Sequence, residues 1–254
     1  MLILLPPSET KQIGGANLPI SQVHLSYGQL DQARDKAVDA LIELCQDREL
    51  AKRVLKLSAK QEEDISRNLE IRSAPTLPAY LRYSGTLYKA IKTAEFTEHE
   101  VQNMRSNVLI QSSLFGLISA TDRIPWYRLS ASTPLPNLSL KELWRENQPQ
   151  AWARLVDFPL IDMRSKSYVD LAPIPEHIDS YWVEVVSESD GERKALNHFN
   201  KTAKGELVGA FVRAEKLPTD LRELKRLAES ANLGLEVEGK TIYLVTSEEV
   251  RGKS

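Results

Sequence analysis

Cysteine is nearly absent: the 254-residue chain has one, Cys45. No intramolecular disulfide can form, and a Cys-based zinc or iron–sulfur site within one chain is not expected. The four histidines, His24, His99, His177 and His198, are scattered and lack ligand spacing such as H-x-x-x-H. No spacing points to a carboxylate-rich metal site either, so neither a metal nor a cofactor is expected. Charge of one sign is also missing. Thirty-three Lys and Arg face 35 Asp and Glu, a net charge of -2. Any polyanion site must therefore be a local patch. No apolar run approaches the roughly 20 residues of a membrane span. The start MLILLPP has no basic segment, and its apolar run is too short for a secretory signal. A reducing, cytoplasmic compartment of bacterial type and no membrane partner are expected. Walker A, G-x-G-x-x-G and G-x-S-x-G patterns are all absent.

What is present reads as an ordinary globular chain, 42% hydrophobic and 27% charged. No internal repeat or convincing linker appears. A single α/β domain over 1–254 is expected, with a mixed sheet flanked by helices, as a monomer.

Leu2–Leu5 reads as a buried strand stopped by Pro6-Pro7, because proline cannot donate to a ladder. Asp31 caps a helix whose Val38, Leu41, Ile42 and Cys45 follow the helical period. Cys45 thus falls on the core face as a small hydrophobe. Helices are also expected over 48–57, 59–70, 140–155, 201–215 and 221–231, with the third of these spanning Trp144 and Trp152. Residues 107–132 read as a strand, a helical turn and a loop. "YWVEVVSE" (181–188) alternates like a strand that pairs with 192–199 around Asp190-Gly191. "LGLEVEGKTIYLVT" reads as two strands joined at Glu238-Gly239.

Two apolar strands, 2–5 and 158–162, end in polar clusters. Ligands in open α/β sheets gather outside the carboxyl ends of strands. If the two are neighbours, Ser8, Glu9, Lys11, Arg164, Ser165, Lys166 and Tyr168 share one rim. Two ordinary polar loops are the alternative. Lys201 and Lys204 raise a separate question. They sit in the expected first turn of a helix, where partial positive charge favours acidic residues. Free N–H groups and two ammonium groups would suit an anion there. Gly205 lets another group approach closely. The alternative is two solvated lysines.

A third candidate is "RELAKRVLKLSAKQEEDISRNLEIR" (48–72). Arg48, Lys52 and Lys56 lie four apart and share a helix face, opposite Leu50, Val54 and Leu57. Lys60, Arg67 and Arg72 add charge. Seven basic residues against five acidic ones leave +2 over the segment. Such a stripe can follow a phosphate backbone. Against this, "LSAK" offers no glycine N–H to phosphate, and Glu62, Glu63 and Asp64 would repel it.

Together these segments resemble the YaaA (UPF0246) family of peroxide-stress proteins over nearly the whole chain. The resemblance rests on Pro7-Ser8-Glu9-Thr10-Lys11, "YSGTLYKAI" (83–91), "LFGLISATDRIPWYRL" (114–129), "IDMRSKSY" (161–168) and "FNKTAKG" (199–205), in order and spacing. It implies intracellular protection against peroxide, an indirect effect on free iron, an α/β fold and a basic cleft. It also implies binding to DNA through a helix-hairpin-helix element over 48–72. The chain departs from the family pattern at Ser119-Ala120, Asp170 and Glu9, each lowering local positive charge.

Two functions stay open. One is a DNA-associated stress protein without catalysis, whose backbone contacts are Arg48, Lys52, Lys56, Lys60 and Arg67. Lys11, Arg128, Lys166, Lys201 and Lys204 then line the cleft. The other is an enzyme on a phosphate-bearing or nucleobase substrate. There Glu9, tuned by Lys11, would be the acid/base group, and Ser8 or Tyr168 would assist. Arg128 would clamp an anion, and Trp126 or Tyr127 would stack on a base. Asp122 reads as fixing loop 119–128 or Arg128.

Overall fold

The computed structural model describes residues 1–93, 96–155, 157–189, 192–195 and 200–246. The expected turn residues Asp190-Gly191, and Phe199, lie outside the described residues. The strands are β1 (Leu2–Leu5), β2 (Thr76–Pro78), β3 (Val108–Ser112), β4 (Gly116–Ser119), β5 (Arg123–Pro125), β6 (Leu160–Asp162), β7 (Ser180–Ser189), β8 (Glu192–Ala195), β9 (Gly234–Glu238) and β10 (Thr241–Thr246). The helices are α1 (Asp31–Gln46), α2 (Arg48–Val54), α3 (Glu63–Leu69), α4 (Ala79–Arg82), α5 (Thr86–Ile91), α6 (Glu98–Asn107), α7 (Leu140–Asn147), α8 (Pro149–Trp152), α9 (Lys166–Leu171), α10 (Asn200–Arg213) and α11 (Leu221–Ser230).

The architecture is mixed α/β. One sheet runs β4-β3-β1-β6-β7-β10-β9, with β8 attached to β7, and β2 pairs with β5 apart from it. β3, β1, β6, β7 and β10 are mutually parallel, while β4, β8 and β9 are antiparallel additions. The run LILL has its physical reason here. Ile3 and Leu5 enter the larger core cluster, and Leu2 and Leu4 enter a second one on the other face. A parallel strand covered on both faces needs apolar residues at every position.

β1 is the pivot. The chain goes from β1 to β3 on one side, and later places β6, β7 and β10 on the other. The order therefore reverses between β1 and β6, and a crevice is expected beyond their carboxyl ends. The neighbouring of strands 2–5 and 158–162 is thus a fact of the sheet, with Leu2 opposite Leu160 and Leu4 opposite Asp162.

Three local readings need correction. No helical turn follows β3. Gly116, at φ +63°, instead starts an antiparallel β4, and a Cβ there would lie 2.6 Å from the Trp144 ring. The expected helix 140–155 breaks at Gln148, because Pro149 cannot donate an amide bond within it. Ser58 and Gln61 do form a reciprocal cap, but it opens a single 3-10 turn before α3.

α10 packs against α5 at its glycines. A Cβ on Gly205 would lie 2.2 Å from the Leu87 carbonyl oxygen, so the close approach anticipated at this glycine is made by α5. Gly205→Ala is therefore expected to destabilise the chain by about 2 kcal/mol through overpacking, despite alanine's better helix propensity. A urea midpoint at or above that of the wild type would refute the tight α5–α10 contact.

Candidate functional site

The cleft begins where β1 ends. The Pro6 carbonyl accepts a bond from the Tyr88 hydroxyl at 2.7 Å, and Pro7 leads into the loop Ser8–Thr10. That loop lines a cavity of 440 Å³ together with Gly85, Ser130, Ser132, Ser165, Ser167, Tyr168 and Lys201. The 8–11, 164–168 and 201–204 segments therefore meet at one crevice. Gly85 is required at the junction, since an added Cβ would stand 2.2 Å from Ser8 Oγ. Burial holds the Tyr168 phenol well above the usual tyrosine range, so it is a neutral hydroxyl.

A second hollow of 390 Å³ adjoins the first and shares Pro6, Leu87, Ser165 and Lys201 with it. β6 ends at Asp162, opposite Trp182, and among the described residues β8 pairs with β7 from Val186 onwards. Between those ladders, Trp182 and Glu184 alternate with the core residues Val183 and Val185, and all four line the hollow. Lys166, Asn200, Lys201 and Lys204 close it.

Arg164 and Lys11 were expected on an open rim, and both are buried. Arg164 is fully buried and holds Asp162 through both carboxylate oxygens, at 2.9 and 2.8 Å. Its Nη1 also donates to the carbonyls of Tyr168 and Ala172, at 3.2 and 2.7 Å. It is a clamp that fixes α9 to the end of β6, because a planar five-donor group can satisfy several elements at once. Lys11 Nζ donates to the Ser8 carbonyl at 2.9 Å and lies 4.2 Å from the Tyr127 ring centroid. Burial first, and then Arg128, push its amine down to about 7. The Tyr127 hydroxyl bonds to those of Tyr83 and Ser112, at 2.8 and 2.9 Å. Tyr127 is fully buried and cannot stack on a ligand. Trp126 carries the Arg67 guanidinium 5.4 Å from its ring centroid.

Other expected partners also change. Glu9 makes its ion pair with Arg128, at 3.6 Å, rather than with Lys11. Asp122 does fix its loop, accepting from Ser26 N, Ser26 Oγ and Ser119 N, but it does not hold Arg128. Lys201 and Lys204 do not act alike: Lys201 is exposed between the two cavities, while Lys204 is buried and bonds to the Met163 carbonyl at 3.2 Å.

The basic stripe of 48–72 is largely compensated. Lys52 pairs with Glu49 and Glu62 at 3.1 and 3.0 Å. Arg67 pairs with Glu63 and Asp64, and Arg72 with Asp35 and Asp39. Among the described residues Arg48 reaches only Ser66 Oγ, at 3.5 Å. Lys56 is not on the helix face at all. It lies past the end of α2 in the left-handed region, at φ +53°. Leu57 N bonds back to Lys52 O, and Lys56 N to Arg53 O, the pattern of a helix end that usually carries glycine. The buried position of α2 is Ala51, with Leu55 buried just past its end, and the expected Leu50, Val54 and Leu57 are only partly buried. Lys56 and Lys60 have no carboxylate partner among the described residues. A third hollow, of 310 Å³, joins Lys56 and Arg128 to Glu9, Ser130 and Ser132, which also line the first cavity.

A family model described as peroxide stress protein YaaA matches residues 1–238. The chain belongs to the YaaA family. It is 38% identical over 253 residues to a UPF0246 protein of Corynebacterium efficiens, covering 96% of this chain and 100% of that protein. It is 32% identical over 243 residues to a UPF0246 protein of Streptomyces coelicolor, covering 94% of this chain and 93% of that one. An uncharacterized protein of Campylobacter jejuni is 25% identical over 210 residues, 82% of this chain and 83% of that protein. As a YaaA-family chain it is a peroxide-stress-related protein. Among the described residues no helix is long and apolar enough to cross a membrane. Among them, too, no group of three His, Cys, Asp or Glu side chains is placed to hold a metal ion.

Sequence reasoning on this YaaA-family chain missed Trp182, Glu184, Ser130 and Ser132. The first two alternate within a strand and carry no motif. That part of β7 runs on past the end of β6 and lines the cleft. Ser130 and Ser132 sit in a loop whose neighbours depend on the long connection from β5.

Proposed function

We propose that this peroxide-stress-related protein works at nucleic acid, and that a strand's phosphates follow the groove formed by the three connected hollows. One observation carries the reading: the groove runs from Lys56, at the turn after α2, past Arg128 to Lys201 at the start of α10. Cations spaced along a cleft, with an aromatic wall at Trp182, suit a polyanion bound by its backbone. Lys56 supports it further. A lysine in a left-handed position costs about 1 kcal/mol relative to glycine, and such strain concentrates at functional sites. The paired Lys52 and Arg67 are supports of the turn in this reading, and Arg48 and Lys60 are outer contacts. Any effect on iron is then indirect, through the bound nucleic acid.

Lys56→Gly separates the two roles of that residue. It is expected to raise stability by about 0.5–1 kcal/mol while weakening binding to single-stranded and duplex DNA alike. With Lys201→Ala added, the slope of log affinity against log salt is expected to fall by roughly two phosphate contacts. Mobility-shift titrations at two salt concentrations measure this. A double variant with unchanged affinity and slope would remove the groove reading.

A further inference from the structure

Lys204 is an amine in an unusual place. It is 5% exposed, yet it lines the 390 Å³ hollow. Its Nζ bonds to the Met163 carbonyl at 3.2 Å and stands 5.5 Å from the centroid of the Trp182 ring. Met163 and Trp182 line the same hollow, so the nitrogen sits at the cavity wall. Asp162, the nearby buried carboxylate, is occupied by Arg164 through both oxygens. Glu184 lines the hollow with an exposed side chain.

We propose that Lys204 binds carbonyl compounds covalently, adding its amine to a small aldehyde or ketone that carries an anionic group. The neutral nitrogen attacks the carbonyl carbon; a C–N bond forms, and the C=O π pair moves onto the oxygen, which becomes a hydroxyl on the same carbon once protonated. The carbinolamine then expels that hydroxyl as water and becomes a protonated imine. Overall, one ammonium and one carbonyl give one iminium and one water, with no oxidant or reductant. Glu184 is placed on the same hollow to take the proton from nitrogen and return it to the departing hydroxyl. The Trp182 face favours the cationic imine. Lys201, in the first turn of the 14-residue α10, holds the anionic group, where the positive end of the helix dipole adds to its charge. The hollow's volume is that of a small-molecule site.

Burial is the largest effect on the Lys204 amine and sets it at about 8, although Asp162 and Glu184 pull the other way. At pH 7.4 roughly a fifth of it is then neutral, against about one part in a thousand for an ordinary lysine. The competing account is a structural lysine that ties α10 to the end of β6. This proposal does not rest on the nucleic-acid reading.

Pyridoxal 5′-phosphate joins an aldehyde and a phosphate in one probe. The full chain would be incubated with it at low excess, reduced with borohydride and peptide-mapped. Lys204 is expected to be labelled first and to saturate at one adduct per chain, with a rate–pH midpoint near that of its amine. Lys204→Arg and Lys204→Met should both lose that adduct; whichever folds suffices, with folding checked by melting temperature. Lys201→Ala should keep the adduct but weaken the probe's affinity by about tenfold, the loss of one charge-assisted contact. Label spread over surface lysines, with Lys204 no faster than Lys201, would overturn the proposal. So would a Lys204 rate that follows an ordinary lysine. DNA retention by the same variants is read separately. Loss of one activity without the other therefore tells the two readings apart.

Discussion

The unfolding free energy is expected to rise by about 3 kcal/mol from pH 7 to pH 9, then to fall above about pH 10. Two buried amines cause the rise. Lys11 sits at about 7 and Lys204 at about 8 in the folded chain, both lowered first by burial. In the unfolded chain each returns to an ordinary lysine value near 10.4. Below pH 7 both states hold these protons, and the folded state bears the full cost of two desolvated ammonium groups. Between the folded and unfolded values the unfolded chain binds more protons, so stability climbs with pH. The later fall has the opposite origin. Tyr83, Tyr88 and Tyr168 are raised by burial, so they keep their protons when folded and lose them above about pH 10 only when unfolded. Urea midpoints across this range measure the curve. Lys11→Met with Lys204→Met should flatten the rising limb and leave the falling limb in place. A wild-type curve that is flat or falls from pH 7 to pH 9 would show that these amines are solvated.

Asp162→Asn is expected to destabilise the chain by about 3–5 kcal/mol, the cost of stranding a buried charge. The Arg164 guanidinium is fully buried, and Asp162 is its only carboxylate among the described ion pairs. The substitution leaves the guanidinium with the Tyr168 and Ala172 carbonyls and no counter-charge. Because those two bonds hold α9, the wall carrying Ser165, Ser167 and Tyr168 should loosen as well. Faster amide exchange over 165–171 would report this locally. Replacing both partners, Asp162→Leu with Arg164→Met, should cost far less, since no buried charge remains. A single variant as stable as the wild type would show that the pair is not needed to hold β6 and α9 together.

Local chemistry made several features legible without coordinates. LILL had to be a strand covered on both faces, and Pro6-Pro7 had to end it, because neither property depends on distant residues. The helical period of Val38, Leu41 and Cys45 fixed α1 and buried the cysteine. Spacing and order carried the family. The placing of polar clusters at the ends of 2–5 and 158–162 identified the crevice, once the rule for open sheets was applied.

What the sequence left undecided was which polar groups face solvent. Arg164, Lys11 and Tyr127 look like cleft residues in a linear reading; the fold buries all three. Long side chains are flexible, and whether a charge ends in water or between packed elements depends on partners far along the chain. Arg164 meets the carbonyls of α9, and Lys11 lies against Tyr127. The stripe Arg48, Lys52, Lys56 failed for a related reason. Periodicity continues through a segment, but the helix stops at Val54, and Lys56 turns left-handed beyond it. Lys201 and Lys204 show the division most plainly. Their place in a helix's first turn was written in the sequence. That one lies in the open cleft and the other in a desolvated wall came only from packing α10 on α5 and β7, which sets each amine's dielectric.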